Sequence, residues 1–97
     1  MATYIVLGNF TEQGIRAVKD TTKRAEAFKT LAKQNGVTVK EIYWTLGRYD
    51  NVAILDAPDE AAVTALGLSM GSAGNVRTQT MRAFSADEMG KILARMK

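Results

Sequence analysis

Gly47-Arg48-Tyr49-Asp50 gathers a cation, a phenol and a carboxylate within four residues. With Tyr43 just before it and Arg77 downstream, it is where this chain concentrates its chemistry. A guanidinium holds an anion through a fork of N–H donors. A tyrosine hydroxyl donates a hydrogen bond or a proton, and an aspartate accepts one. Tyr43, Arg48, Tyr49, Asp50 and Arg77 are therefore the candidate ligand-binding residues. The expected ligand is a small aromatic or anionic molecule in a pocket beside a sheet. The same motif also makes a plain turn. There Gly supplies an unusual backbone angle, Asp bonds nearby backbone, and Tyr packs over the loop. On that reading it carries no chemistry.

What is missing narrows the chemistry further. The chain has no histidine, which removes the commonest general base and transition-metal ligand. It has no cysteine, so no thiolate and no disulfide framework. No metal and no cofactor are expected. Ser69, Ser72 and Ser85 have no histidine to activate them, which excludes a Ser-His triad. Neither Gly-x-Gly-x-x-Gly nor a phosphate-binding Gly-rich loop occurs. The acid pairs Asp59-Glu60 and Asp87-Glu88 stand at predicted helix starts, where capping accounts for them. Net charge is +3. Lys19, Lys23, Arg24, Lys29 and Lys33 fall in one helical region, with no aromatic side chains between them to stack on bases. They read as a solvated helix face, and nucleic acid is not an expected partner. The apolar run Tyr4 to Leu7 is too short for a membrane span or a signal-peptide core. Cytoplasm is the expected location.

The elements that must position the motif follow from pattern. Ninety-seven residues, 46% hydrophobic and 24% charged, describe one globular domain. Tyr4 to Leu7 is a strand, and Thr11 caps a helix after it. Asp20-Thr21-Thr22 interrupts that helix with a kink or a restart. From Lys23 onward, Ala25, Phe28, Leu31 and Ala32 share one face, and Asn35-Gly36 stops the helix. Val37 to Leu46 and Asn51 to Ala57 are two strands joined through the Gly47 turn. A β-bulge near Lys40-Glu41 would reconcile the phase of Val37 and Val39 with that of Ile42 and Trp44; otherwise both faces of this strand are largely apolar. Trp44 is expected in the core. Pro58 suits the first position of a helix running through Ala61 to Ala73, with Gly74 as its stop. Gly67 and Gly71 predict close packing of that helix on a sheet. Asn75 to Phe84 is a fourth strand. Ser85 and Glu88 form a capping box for a last helix.

The order β-α-β-β-α-β-α predicts a split βαβ, ferredoxin-like α+β fold with a four-stranded antiparallel sheet. Two helices cover only one face of such a sheet. Yet Ile5 and Leu7 alternate with Tyr4 and Val6, and Val52 and Ile54 with Ala53 and Leu55. Both faces are apolar, and a contiguous apolar patch marks an interface. A second copy laid sheet against sheet is expected, as a dimer or a higher assembly. Closure by the last helix is the alternative.

Several stretches together resemble the GYD-domain family, named for a Gly-x-Tyr-Asp motif. They are Gly47 to Asp50 with Tyr43 to Leu46 before it, Thr11-Glu12-Gln13-Gly14, Lys23 to Phe28, and Gly74 to Thr78. The resemblance spans nearly the whole chain. It implies a ferredoxin-like domain that pairs into a dimeric α/β barrel. It brings no established reaction, substrate or catalytic residue. Three functions stay open: a small-molecule-binding homo-oligomer, a cofactor-independent enzyme for oxidation or isomerisation with Tyr43 or Tyr49 as proton donor, and a structural or regulatory interaction module.

Overall fold

The computed structural model describes residues 1–97. The elements in order are β1 (Ala2–Phe10), α1 (Glu12–Arg16), α2 (Thr21–Gln34), β2 (Thr38–Trp44), β3 (Asn51–Ala57), α3 (Glu60–Ser72), β4 (Val76–Ala83) and α4 (Ala86–Leu93). A 3-10 turn, Val18–Asp20, separates α1 from α2. Of the kink or restart that Asp20-Thr21-Thr22 predicts, the structure has the restart. The strands form one antiparallel sheet in the order β2-β3-β1-β4. The architecture is the ferredoxin-like split βαβ. Strand β1 runs past Leu7 to Phe10 because Gly8, Asn9 and Phe10 find partners in Thr78, Arg77 and Val76 of β4.

Local chemistry sets the helix ends. The Thr11 hydroxyl accepts from the Gly14 N–H at 3.0 Å and starts α1. Asp59 is the cap of α3, its carboxylate accepting from the Ala62 N–H at 2.8 Å. Pro58 therefore stands before the cap rather than at the first helical position. The carboxylate supplies an acceptor for an orphan N–H, which a proline ring cannot. Ser85 and Glu88 cap each other reciprocally at the start of α4, as the sequence predicts. Gly36 and Gly74 adopt φ of 74° and 87° just beyond α2 and α3, left-handed positions that favour glycine.

The register of β2 shifts between Val39 and Glu41. This bulge decides which side chains share a face. Without it, strict alternation would place Val39 with Tyr43. With it, Val39 stands beside Leu55, Ile42 beside Ala53, and Trp44 beside Asn51. These lie on the face that carries Tyr4 and Val6, and α2 and α3 cover that face. Tyr4, Ala32, Val37, Ala53, Leu55, Ala57, Val63 and Leu66 make the core, with Phe28, Leu31, Val39 and Ile42 packed around it.

Two expectations fail here. Trp44 is 46% exposed. It lies on an edge strand, in the last pair before the turn, so it has a neighbouring strand on one side only. Gly67 and Gly71 do not pack closely on the sheet, since a Cβ at either would meet nothing within 4 Å. Both glycines face open space.

The opposite sheet face carries Ile5, Leu7, Val52 and Ile54, and no helix packs on it. Helix α4 packs closely on no other element. It leaves Met89, Ile92 and Leu93 exposed, as is Met96 beyond its end. Its side-chain tie to the sheet is Glu88, 3.1 Å from Arg82. The Arg82 guanidinium also lies 4.5 Å from the centroid of Phe84. The molecule is 51 Å long and 18 Å thick, with a radius of gyration of 14.6 Å. A compact domain of this length has about 12.5 Å.

Candidate functional site

The Gly47-Arg48-Tyr49-Asp50 turn is built from backbone outward. Gly47 has φ of 99°. Thr45 closes the loop twice: its N–H donates to the Asp50 carbonyl at 2.8 Å, and its hydroxyl donates to the Tyr49 carbonyl at 2.6 Å. Asp50 then extends the pairing of β3 with β1 by one step. Its N–H donates to the Gly8 carbonyl at 2.9 Å, and its carboxylate accepts from the Phe10 N–H at 2.8 Å. Tyr49 reaches further. Its hydroxyl donates to Gln79 Oε1 at 3.0 Å, a link from the β2–β3 loop across β1 to β4. Arg48 is exposed.

Tyr43 and Arg77 project from the face that no helix covers. The register orders that face in rows across all four strands. One row is Glu41, Ile54, Ile5 and Met81. The next is Tyr43, Val52, Leu7 and Gln79. Arg77 pairs with Asn9 beyond that, and a polar row of Thr38, Asp56, Thr3 and Ala83 borders the other end. The face therefore has an apolar centre and a polar rim, the anatomy of a protein interface. Tyr43 donates to Glu41 Oε2 at 3.0 Å. That hydrogen bond, together with the negative charge of Glu41, holds the phenol above its ordinary range. Tyr43 is accordingly a hydrogen-bond donor at neutral pH and a poor proton source.

A second feature lies on the helix side of the sheet. A cleft of about 300 Å³ opens between α2 and α3. Its floor includes Val6, Ala53 and Asn51, and Trp44 and Thr21 stand at one end. The Trp44 indole N–H donates to the Thr21 hydroxyl at 3.0 Å. None of Tyr43, Arg48, Tyr49, Asp50 and Arg77 lines this cleft. Sequence reading alone misses it, because its small residues lie on separate elements and only the register lines them up.

The sequence also gave no sign of a clamp at the end of the sheet. Thr11 donates through its hydroxyl to the Gly74 carbonyl at 2.5 Å and through its N–H to the Asn75 carbonyl at 3.1 Å. Gln13 donates to the Ala73 carbonyl at 3.1 Å and to Asn75 Oδ1 at 3.0 Å. Arg24 donates to the carbonyls of Ala17 and Gly14 at 2.8 and 3.1 Å. The Thr11-Glu12-Gln13-Gly14 and Gly74-Asn75 stretches are thus one structure, made from two distant parts of the chain. No group of three or more carboxylates gathers to hold a metal ion. No helix is long and apolar enough to cross a membrane.

A split βαβ domain whose Gly-x-Tyr-Asp turn is stitched to both β1 and β4 is a specific variant of the ferredoxin-like fold. The GYD domain family matches residues 4–93, and the chain belongs to that family. A relative from Thermus thermophilus, described as a glutamine synthetase and cystathionine beta-lyase binding protein, is 35% identical over 98 residues, with all of both chains covered. The crystal structure of the Thermus thermophilus protein TTHA0845 is similar in fold, with a TM-score of 0.58 and 26% identity. The match covers 89% of this chain and 96% of that one.

Proposed function

We propose that this chain is a protein-interaction module that works as a homo-oligomer, its subunits joined through the sheet face that carries Ile5, Leu7, Val52 and Ile54. The observation that carries the reading is surface. The single chain exposes 6729 Å², against about 5,500 Å² for a compact protein of this mass. The excess, roughly 1,200 Å², exceeds the ~800 Å² that each partner contributes to a standard interface. The protruding α4 contributes to it, and its apolar residues would be covered in the same assembly. A dimeric α/β barrel is the form of pairing this reading favours. The description of the Thermus relative as a binding protein for two metabolic enzymes supports the interaction role. Enzymes of that kind, in the cytoplasm, are the partners to test.

Sedimentation velocity across micromolar concentrations tests self-association, with a dimer or larger expected. Met81 is exposed on edge strand β4, so Met81→Glu should keep the fold and yield a monomer near 10.6 kDa. A wild-type chain that sediments only at that mass would sink the reading. Binding to purified glutamine synthetase or cystathionine beta-lyase would then be measured on the same preparations.

A second reading keeps a small aromatic or anionic ligand at the motif end of this face. The shared side of Tyr43, Gln79 and Arg77 favours it, because a facing sheet would enclose those groups. Titration of Arg48→Ala and Arg77→Ala variants against aromatic carboxylates tests it.

A further inference from the structure

The cleft between α2 and α3 lies on the other side of the sheet from the face assigned to self-association, so a ligand there would not compete with a second copy. Its shape comes from residues lined up by register. The row Trp44, Asn51, Gly8 and Thr78 crosses the sheet beneath it, followed by the row Ile42, Ala53, Val6 and Thr80. Gly8 lacks a side chain where the Asn51 amide fills the space of its Cβ. Ala25 of α2, Ser69 of α3 and Ala73 just after α3 line the walls without filling them. The result is about 300 Å³ of open space, at the lower end of small-molecule sites.

Its chemistry is selective. Phe10, Phe28 and Ile42 give apolar walls. Trp44 is half exposed, yet its ring is fixed by the hydrogen bond to Thr21. No carboxylate lines the cleft, so a cation finds no partner. Arg24 is its one cation, and both terminal amino groups already donate to backbone carbonyls. An anion would lose its hydration and meet a single cation, two of whose five N–H donors are already used. Asn51 lines the cleft, and its carboxamide carries a donor and an acceptor side by side.

We propose that this cleft binds a flat, uncharged bicyclic aromatic molecule whose amide-like edge pairs with Asn51 while its rings pack against Phe28, Ile42 and Trp44. The test uses 2-quinolinone, a neutral bicyclic lactam, and the full isotope-labelled chain followed by NMR. Saturable shifts are expected at the Asn51 side-chain amide, the Gly8 N–H and the Trp44 indole N–H. Ser69 is exposed on α3, so Ser69→Trp should plug the cleft, weaken binding at least tenfold and leave the melting curve and oligomeric state unchanged. Quinoline, which lacks the lactam N–H and carbonyl, should bind several-fold more weakly than 2-quinolinone to the wild type and equally to Asn51→Ala. Four results would each overturn the proposal. They are no saturable shift up to the solubility limit, shifts centred on Tyr43, Tyr49 and Gln79, undiminished binding to Ser69→Trp, and tighter binding of the anion 2-naphthoate than of the lactam. If Asn51→Ala unfolds, Ser69→Trp still decides. Monomeric wild-type protein that binds the lactam would fail the self-association reading and leave this one standing.

Discussion

Gly14 and Asn75 lie backbone against backbone: a Cβ at Gly14 would fall inside the contact radius of the Asn75 carbonyl oxygen. Backbone cannot swing aside as a flexible side chain can. Gly14→Ala should therefore push α1 away from β4 and weaken the hydrogen bonds of Thr11 and Gln13 to residues 73–75. The expected cost is about 2–4 kcal/mol, from overpacking and lost hydrogen bonds. Gly71→Ala is the control of opposite sign. Gly71 is inside α3 with open space around it, and alanine there should stabilise by about 0.5–1 kcal/mol. Urea melts of both variants check this. Equal effects would mean that the clamp carries no stability.

What the sequence showed and what it hid divide along sequence distance. The capping box of Ser85 and Glu88, the strand Asn51–Ala57, the helix restart at Thr21 and the bulge after Val39 are all decided within a few residues. The capping box and the strand could be read directly, the restart and the bulge each as one of two readings. The clamp of Thr11 to Gly74 joins positions 63 residues apart, and nothing local to either announces it. The cleft is hidden for a related reason, since Gly8, Ala53 and Thr78 become neighbours only through strand register. Trp44 misleads because its type and its place between Ile42 and Leu46 speak for burial. Its position at the end of an edge strand opposes that, and position wins.

Asp50 should matter more than any other residue of the turn. Its carboxylate takes the Phe10 N–H at the end of β1, beyond the last pair of β1 with β3. Asp50→Ala leaves that donor unsatisfied in a half-buried place, at an expected cost of about 1–3 kcal/mol. Arg48→Ala, in the exposed part of the same turn, should stay within about 0.5 kcal/mol. Guanidinium melts of the two variants decide it. A larger loss for Arg48→Ala would show that the turn is held by charge rather than by backbone pairing.

Trp44→Ala should cost less than a truncation in the core. Full burial of an aromatic makes its removal cost about 3–5 kcal/mol. With nearly half of Trp44 in solvent, about 1–3 kcal/mol is expected, including the lost bond to Thr21. Leu55 is 0% exposed, and Leu55→Ala should cost about 2–5 kcal/mol. As Trp44 is the only tryptophan, its emission is an independent check. It should be red-shifted relative to a buried indole and should quench readily with acrylamide. Blue-shifted emission that resists quenching in a monomeric sample would contradict the half-exposed position.

Acid should loosen α4 before the rest of the fold. The Ser85 N–H donates to Glu88 Oε1 at 3.0 Å, and Arg82 donates to Oε2 at 3.1 Å. The backbone hydrogen bond first, and the Arg82 contact after it, hold the Glu88 carboxyl below the usual carboxylate range. The sign follows from that direction. A group whose folded value is depressed binds its proton more readily when unfolded, so its contribution to stability is fully present above the ordinary glutamate value of about 4.3. It is lost as pH falls through the depressed folded value. Glu88→Gln keeps a neutral partner for the Ser85 N–H but has no charge to lose. The variant should therefore be less stable than wild type at pH 7 and indistinguishable from it at the acid end. Melting curves at both pH values, with α4 followed by the amide signals of Met89 and Ile92, measure the difference. A gap between the two proteins that stays constant across the range would show that the Glu88 charge contributes nothing, and that the capping geometry alone holds the start of this helix.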